Sequence, residues 1–197
     1  MANITTEQVK ELRDTTGLSI MQCKKALEEA GGDMAKAIII LQKSGSSIAA
    51  KKADRTFNAG AVTSYIHSNG NIGVLVELLC ETDFVAKNEE FKALAYNLAM
   101  HIAAANPTYG KLSDIPDNTR ADAEAVFAKE VEGKPADMKA KILEGKIAAY
   151  FKDKVLLEQA YIKNPEITVR ALIDSFVQKF GERTEVGRFS RFAIGEK

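Results

Sequence analysis

Thr82-Asp83-Phe84-Val85-Ala86-Lys87-Asn88 sets a carboxylate beside a phenyl ring at the end of an unbroken apolar run, Val74-Leu75-Val76-Glu77-Leu78-Leu79-Cys80. The run reads as a buried central strand, and the residues after Asn88 change to helical spacing. A buried strand is stiff, so it presents whatever follows it from a fixed base. An acid and an aromatic on such a strand-to-helix corner suit insertion into another molecule's charged pocket. A local alternative stands beside this one: Asp83 caps the helix and Phe84 staples it to the core.

Other chemistry is sparse. No Gly-x-Gly-x-x-Gly follows a strand, no phosphate loop with Gly-Lys-Ser/Thr is present, and no Ser or Cys sits in a nucleophile elbow. The two histidines, His67 and His101, belong to no cluster with metal-ligand spacing. His101 lies three residues after Leu98 on the apolar edge of a helix, which fits a satisfied, half-buried ring and leaves a contact role open. Cys23 and Cys80 are far apart on apolar faces and read as buried reduced thiols. The sequence therefore points away from an enzyme, a cofactor or a metal. A thiol-dependent enzyme using Cys80 is the catalytic rival, and the apolar run around that cysteine disfavours a reactive thiolate.

The elements that must position the corner come next. At 197 residues the chain is long enough for a small and a larger domain. Lys plus Arg equals Asp plus Glu at 27 each, which argues against direct nucleic-acid binding because counterion release needs a basic surplus. No apolar run approaches the ~20 residues of a membrane span. Met1-Ala2-Asn3-Ile4-Thr5 carries no basic-then-apolar signal, so the expected location is cytoplasmic.

Residues 1–45 are expected to form a three-helix docking module. Thr5 with Gln8 and Ser19 with Gln22 are capping boxes, and Asp33 caps the third helix. Ser44-Gly45-Ser46-Ser47 reads as a flexible break, with a basic linker over 46–59 and a core domain over 60–197. In that core, an alternating strand over 61–67 turns at Asn69-Gly70, where both residues are expected to take positive φ, and returns as strand 72–80. Helices are expected from Asn88 to a stop before Pro107, over 119–130 and 136–153, and from a Thr168 cap to Gly181, with a last strand over 185–194. The fold class is α+β, helices around a small antiparallel sheet. Three-helix units of this kind also occur in ubiquitin-associated proteins and nascent-chain factors, so a different binding module is a second rival. Such proteins have no use for a rigid acid–aromatic corner.

Two segments carry a resemblance. Val9-Lys10-Glu11-Leu12-Arg13, Thr16-Gly17, Met21, Cys23-Lys24-Lys25-Ala26-Leu27 and Gly32-Asp33 form one; Thr82–Asn88 forms the other. Together they resemble the signatures of the bacterial elongation factor Ts family, the guanine-nucleotide exchange factors of elongation factor Tu. Weaker matches run through His101-Ile102-Ala103-Ala104 and Leu156-Leu157-Glu158-Gln159-Ala160 to the C-terminal strand. The resemblance implies a UBA-like N-terminal module and binding to the GDP form of elongation factor Tu. GDP release would follow from disturbance of the partner's magnesium and phosphate site. It assigns Thr82, Asp83, Phe84 and Val85 to that site, with Thr82 and Val85 holding the corner in shape. Leu12, Ile20, Met21 and His101 are the docking candidates, and core packing stands beside docking for the three apolar ones, first of all for Leu12 on its helical spacing. Ile20-Met21 stands where the family often has two methionines, and Gln22 where an acidic residue is common. Longer members carry a duplicated core, whereas this chain has room for one copy. A single copy leaves one sheet face open, presenting part of the set Tyr65, Phe189 and Phe192, and a sheet-to-sheet homodimer is expected to cover it.

Overall fold

The computed structural model describes residues 4–131 and 136–196. The expected module and core also include residues 1–3, 132–135 and 197, which lie outside the described residues. In chain order the elements are α1 (Thr6–Thr16), α2 (Ile20–Glu29), α3 (Met34–Lys51), β1 (Ala59–Ile66), β2 (Ile72–Cys80), α4 (Asp83–Ala86) and α5 (Glu89–Ala105). There follow α6 (Asp117–Glu130), α7 (Ala136–Lys152), β3 (Ala160–Tyr161), β4 (Asn164–Thr168), α8 (Val169–Phe180) and β5 (Glu185–Ala193). The chain is α+β, with a three-helix unit ahead of helices that surround a small antiparallel sheet.

Local signals account for the helix starts. The Thr5 hydroxyl accepts the Gln8 amide at 3.2 Å while Gln8 Oε1 accepts the Thr5 amide at 3.0 Å. Ser19 and Gln22 repeat this box, and Asp33 Oδ1 accepts the Lys36 amide at 3.0 Å. Gly17, at φ 68°, ends α1 in the left-handed conformation that glycine adopts without strain. Val9, Leu12, Leu18, Cys23, Ala26, Leu27, Ala37 and Leu41 then close a core between the three helices.

The expected flexible break at Ser44–Ser47 is not there: α3 continues through it to Lys51. Tertiary packing overrides the weak helix propensity of Gly and Ser. Gly45 is buried on α8, and a Cβ on it would lie 3.3 Å from the Asp174 carbonyl oxygen and 3.2 Å from Gln178 Oε1. Ser46 Oγ donates to Asp174 Oδ2 at 2.7 Å beside it. Glycine is thus the close-approach residue of a helix crossing, and the front part of the expected 46–59 linker is a packed helix.

The sheet has the order β1-β2-β5, so the apolar run is the central strand, antiparallel to both neighbours. In the hairpin loop only Gly70 takes positive φ, at 71°, which corrects the expectation for Asn69. Asn69 instead uses its side chain, with Oδ1 accepting the Asn71 amide at 3.0 Å, in a loop of residues 67–71 between the two strands. One face of the sheet lies on α5, whose Phe91, Leu94, Leu98 and Ile102 are fully buried against Val74, Val76 and Leu78. Truncating a buried phenylalanine such as Phe91 to alanine costs about 3–5 kcal/mol, so this layer fixes the end of β2 firmly. Helices α6 and α7 pair with each other and are rooted by Ile115, Ala123, Phe151 and Val155.

The open face of the sheet exposes Val62, Ile66, Leu75, Phe192 and Ile194. Of the set Tyr65, Phe189 and Phe192, part of which is expected there, Phe192 is the exposed member. Tyr65 and Phe189 have the opposite strand parity and pack toward α5, Tyr65 edge-on to Tyr96 at 5.8 Å. Among the described residues no helix is long and apolar enough to cross a membrane.

Candidate functional site

The chain leaves β2 at Cys80 and turns within two residues into α4, a single helical turn. The residue that caps this turn is Thr82, whose hydroxyl accepts the Val85 amide at 3.5 Å. Asp83 is the first helical residue, and its side chain is 75% exposed. Phe84 is 81% exposed. The local alternative for these two side chains therefore does not hold, since Asp83 is not the cap and Phe84 staples nothing. Val85 alone points inward, 3% exposed, and joins the main core. Lys87 Nζ donates to Asp83 Oδ2 at 2.5 Å, and this bond holds the Asp83 carboxyl below the ordinary aspartate range. The corner therefore presents an ionised carboxylate and a bare ring side by side.

What fixes the corner comes from distant parts of the chain. Glu182, in the turn after α8, accepts the amides of Glu81 and Thr82 on one oxygen at 3.1 and 3.0 Å. Its other oxygen accepts the Thr82 hydroxyl at 2.6 Å. In return Glu81 accepts the Arg183 amide at 2.6 Å and the Arg55 guanidinium at 3.0 and 3.2 Å. Burial alone would raise the Glu81 carboxyl, but the Arg183 amide and the Arg55 charge outweigh it and hold the group below its ordinary value. Arg183 also stacks on the Phe57 ring at 4.2 Å and donates to Glu185 at 2.8 Å. Sequence reading missed Arg55, Glu81, Glu182 and Arg183, because their partners lie 26 to 102 positions away and no local spacing marks them.

The docking residues divide. Ile20 and Met21 stand in the first turn of α2, 55% and 76% exposed. Leu12 is fully buried in the three-helix core and has no surface to offer a partner. His101 is fully buried too. Its Nδ1 accepts the Ile162 amide at 3.3 Å, so Nε2 carries the proton and donates to Gln159 Oε1 at 2.8 Å. Gln159 Nε2 in turn donates to the Asp153 carbonyl at 2.7 Å. Burial pushes the His101 pKa down, with the Gln159 bond opposing. His101 ties α5 to the segment after α7 and is corrected from docking residue to internal strut.

Cys80 is fully buried, with its thiol 3.2 Å from the Thr82 carbonyl oxygen. Burial, reinforced by the Glu182 charge, pushes it up to about 11, so a reactive thiolate is not available there.

The whole chain is similar to known proteins. The family model described as Elongation factor TS matches residues 2–196. Elongation factor Ts of Carboxydothermus hydrogenoformans is 51% identical over 195 residues, which span 98% of this chain and 90% of that protein. Elongation factor Ts of Thermotoga petrophila is 47% identical over 193 residues, 98% of this chain and 97% of that protein. That of Thermodesulfovibrio yellowstonii is 48% identical over 194 residues, again 98% and 97%.

Proposed function

The chain belongs to the elongation factor Ts family, and on that premise we propose that it is the guanine-nucleotide exchange factor of an elongation factor Tu. It binds the GDP complex in the cytoplasm and promotes GDP release without forming or breaking a covalent bond. The observation that carries this reading is Phe84, a large apolar side chain left 81% exposed on a corner whose backbone Glu182 braces. Tight GDP binding rests on a magnesium ion bridging phosphate oxygens and on backbone donors that cradle them. Asp83, ionised and exposed, competes for the water ligands of that ion or for the groups that orient them. Phe84 wedges between side chains of the wall and shifts it. Thr82 and Val85 keep the corner in shape.

Linkage constrains the cycle. A factor that weakens GDP binding is itself weakened by GDP in the same ratio, so incoming nucleotide expels it. An acceleration of ~10⁴ requires ~5.5 kcal/mol off the dissociation barrier. Two side chains do not supply that alone, and Ile20 and Met21 on the three-helix unit are the second docking point. Release of a fluorescent GDP analogue from elongation factor Tu, with and without this chain, tests the function directly. Acceleration that saturates with chain concentration is expected, and a release rate that does not change refutes it.

A second copy of the chain is the proposed occupant of the open sheet face. Val62, Ile66, Leu75, Phe192 and Ile194 are each at least half exposed on that side, with small residues such as Ser64, Gly73 and Ser190 between them. An exposed apolar face of this kind pairs with its own copy about a twofold axis, giving a dimer that holds two elongation factor Tu molecules.

A further inference from the structure

We infer that Glu182 is a positioning residue for exchange: its carboxylate holds the strand-to-helix corner in the orientation that presents Asp83 and Phe84. The inference rests on the proposed role of that corner. Glu81 and Thr82 lie beyond the last ladder pair of β2, so no neighbouring strand takes their amides. Glu182 takes both, and the Thr82 hydroxyl as well, at 2.6 to 3.1 Å. A carboxylate accepting several bonds from one backbone turn makes charge-assisted contacts that fix direction as well as distance. The residue before it, Gly181, ends α8 at φ 72° and turns the chain toward the corner. Its carbonyl accepts Lys52 Nζ at 2.7 Å, which anchors the turn to the end of α3. The corner is thereby referenced to the helix that carries the three-helix unit, and the same turn sets the corner's angle against the second docking point. Glu182 itself needs no contact with the partner.

Glu182→Ala in the full chain is the first variant, and Glu182→Gln is the rescue: its oxygen still accepts the two amides, and its NH2 donates to the Thr82 hydroxyl oxygen, which turns from donor to acceptor. In GDP release from elongation factor Tu, Glu182→Ala is expected to lower the saturating rate about tenfold, the change that one charge-assisted bond of about 1.4 kcal/mol makes. The half-saturating concentration stays near that of the native chain, because Ile20 and Met21 are untouched. Glu182→Gln recovers most of the rate. A full saturating rate in Glu182→Ala, measured beside a defective Phe84→Ala, overturns the inference. A full rate in Phe84→Ala instead marks failure of the parent reading. The hold on the corner is then judged in the free chain by amide hydrogen exchange. Loss of protection at Glu81 and Thr82 in Glu182→Ala, with β2 unchanged, upholds it, and unchanged protection overturns it.

Discussion

Phe84→Ala separates folding from function at a single position, and both magnitudes follow from one exposure. Full burial of a phenylalanine is worth about 1.5–3 kcal/mol. With the side chain 81% exposed, the fold draws on about a fifth of that, or about 0.5 kcal/mol. For a chain of this length the melting temperature should fall by about 1–2 °C. The remaining four fifths of the ring are free to be buried in the partner, which is worth about 2 kcal/mol, or about 30-fold in rate. The assay is stopped-flow release of a fluorescent GDP analogue with the chain in excess, beside thermal unfolding of the free variant. A loss of about 30-fold with a near-native melting curve is expected. Release within about twofold of the native rate would refute the wedge, because a bare ring that gains nothing in the complex is idle surface. A fall of more than about 5 °C would refute the exposure argument itself, by showing that the ring supports the fold.

Three further outcomes are expected. The folded pKa of His101 is lowered, so the stability that its neutral ring contributes is full above the unfolded value of about 6.5 and is lost as pH falls below it. Urea midpoints from pH 7.5 to 5.5 should decline less steeply in His101→Gln than in the native chain, and parallel slopes would show that the ring titrates freely. Gly45→Leu must push α3 away from the Asp174 carbonyl, at about 1–3 kcal/mol, and an unchanged urea midpoint would mean that the crossing is looser than its 3.3 Å approach implies. Light scattering at micromolar concentration should give a dimer mass for the native chain and a monomer mass for Phe192→Glu; a native monomer would sink the sheet-to-sheet pairing.

Much of the fold was legible because its signals are local. Capping boxes at Thr5 and Ser19, the alternation over 61–67 and the apolar run over 72–80 each specify their element within ten residues or so. Apart from the hairpin loop, where Asn69 bonds the Asn71 amide two residues on, the exceptions share one cause, that a distant contact decides them. Gly45 reads as a breaker until α8 lies against it, although Ala37, Leu41 and Gly45 already repeat at helical spacing. Helical spacing already sets Leu12 on the apolar stripe of α1 and His101 on the apolar edge of α5, but how completely each is buried depends on which faces the other elements cover. The corner was legible as a motif, since an acid and an aromatic at the end of a buried strand is a local pattern. Its brace was not, because Glu182 and Arg183 look like any charged pair after a helix until the turn at Gly181 brings them to Glu81.

The brace bears on why so small a probe could move a tightly held nucleotide. Fixing one residue's backbone costs about 1–2 kcal/mol, so ordering the four residues Glu81 to Phe84 on contact would cost about 4–8 kcal/mol. That is as large as the ~5.5 kcal/mol that a 10⁴-fold acceleration requires. A floppy corner carrying the same Asp83 and Phe84 would lose most of its interaction energy to its own ordering, and exchange would stall although every contacting atom was present. In this chain the ordering is completed during folding, by Glu182 on the amides and by Val85 in the core. On the proposed mechanism, the energy of docking is then free to act on the partner's magnesium site. On this argument the sensitivity of exchange lies as much in the residues behind the corner as in the two at its tip, and substitutions at Glu182 and Val85 should slow exchange without touching the partner.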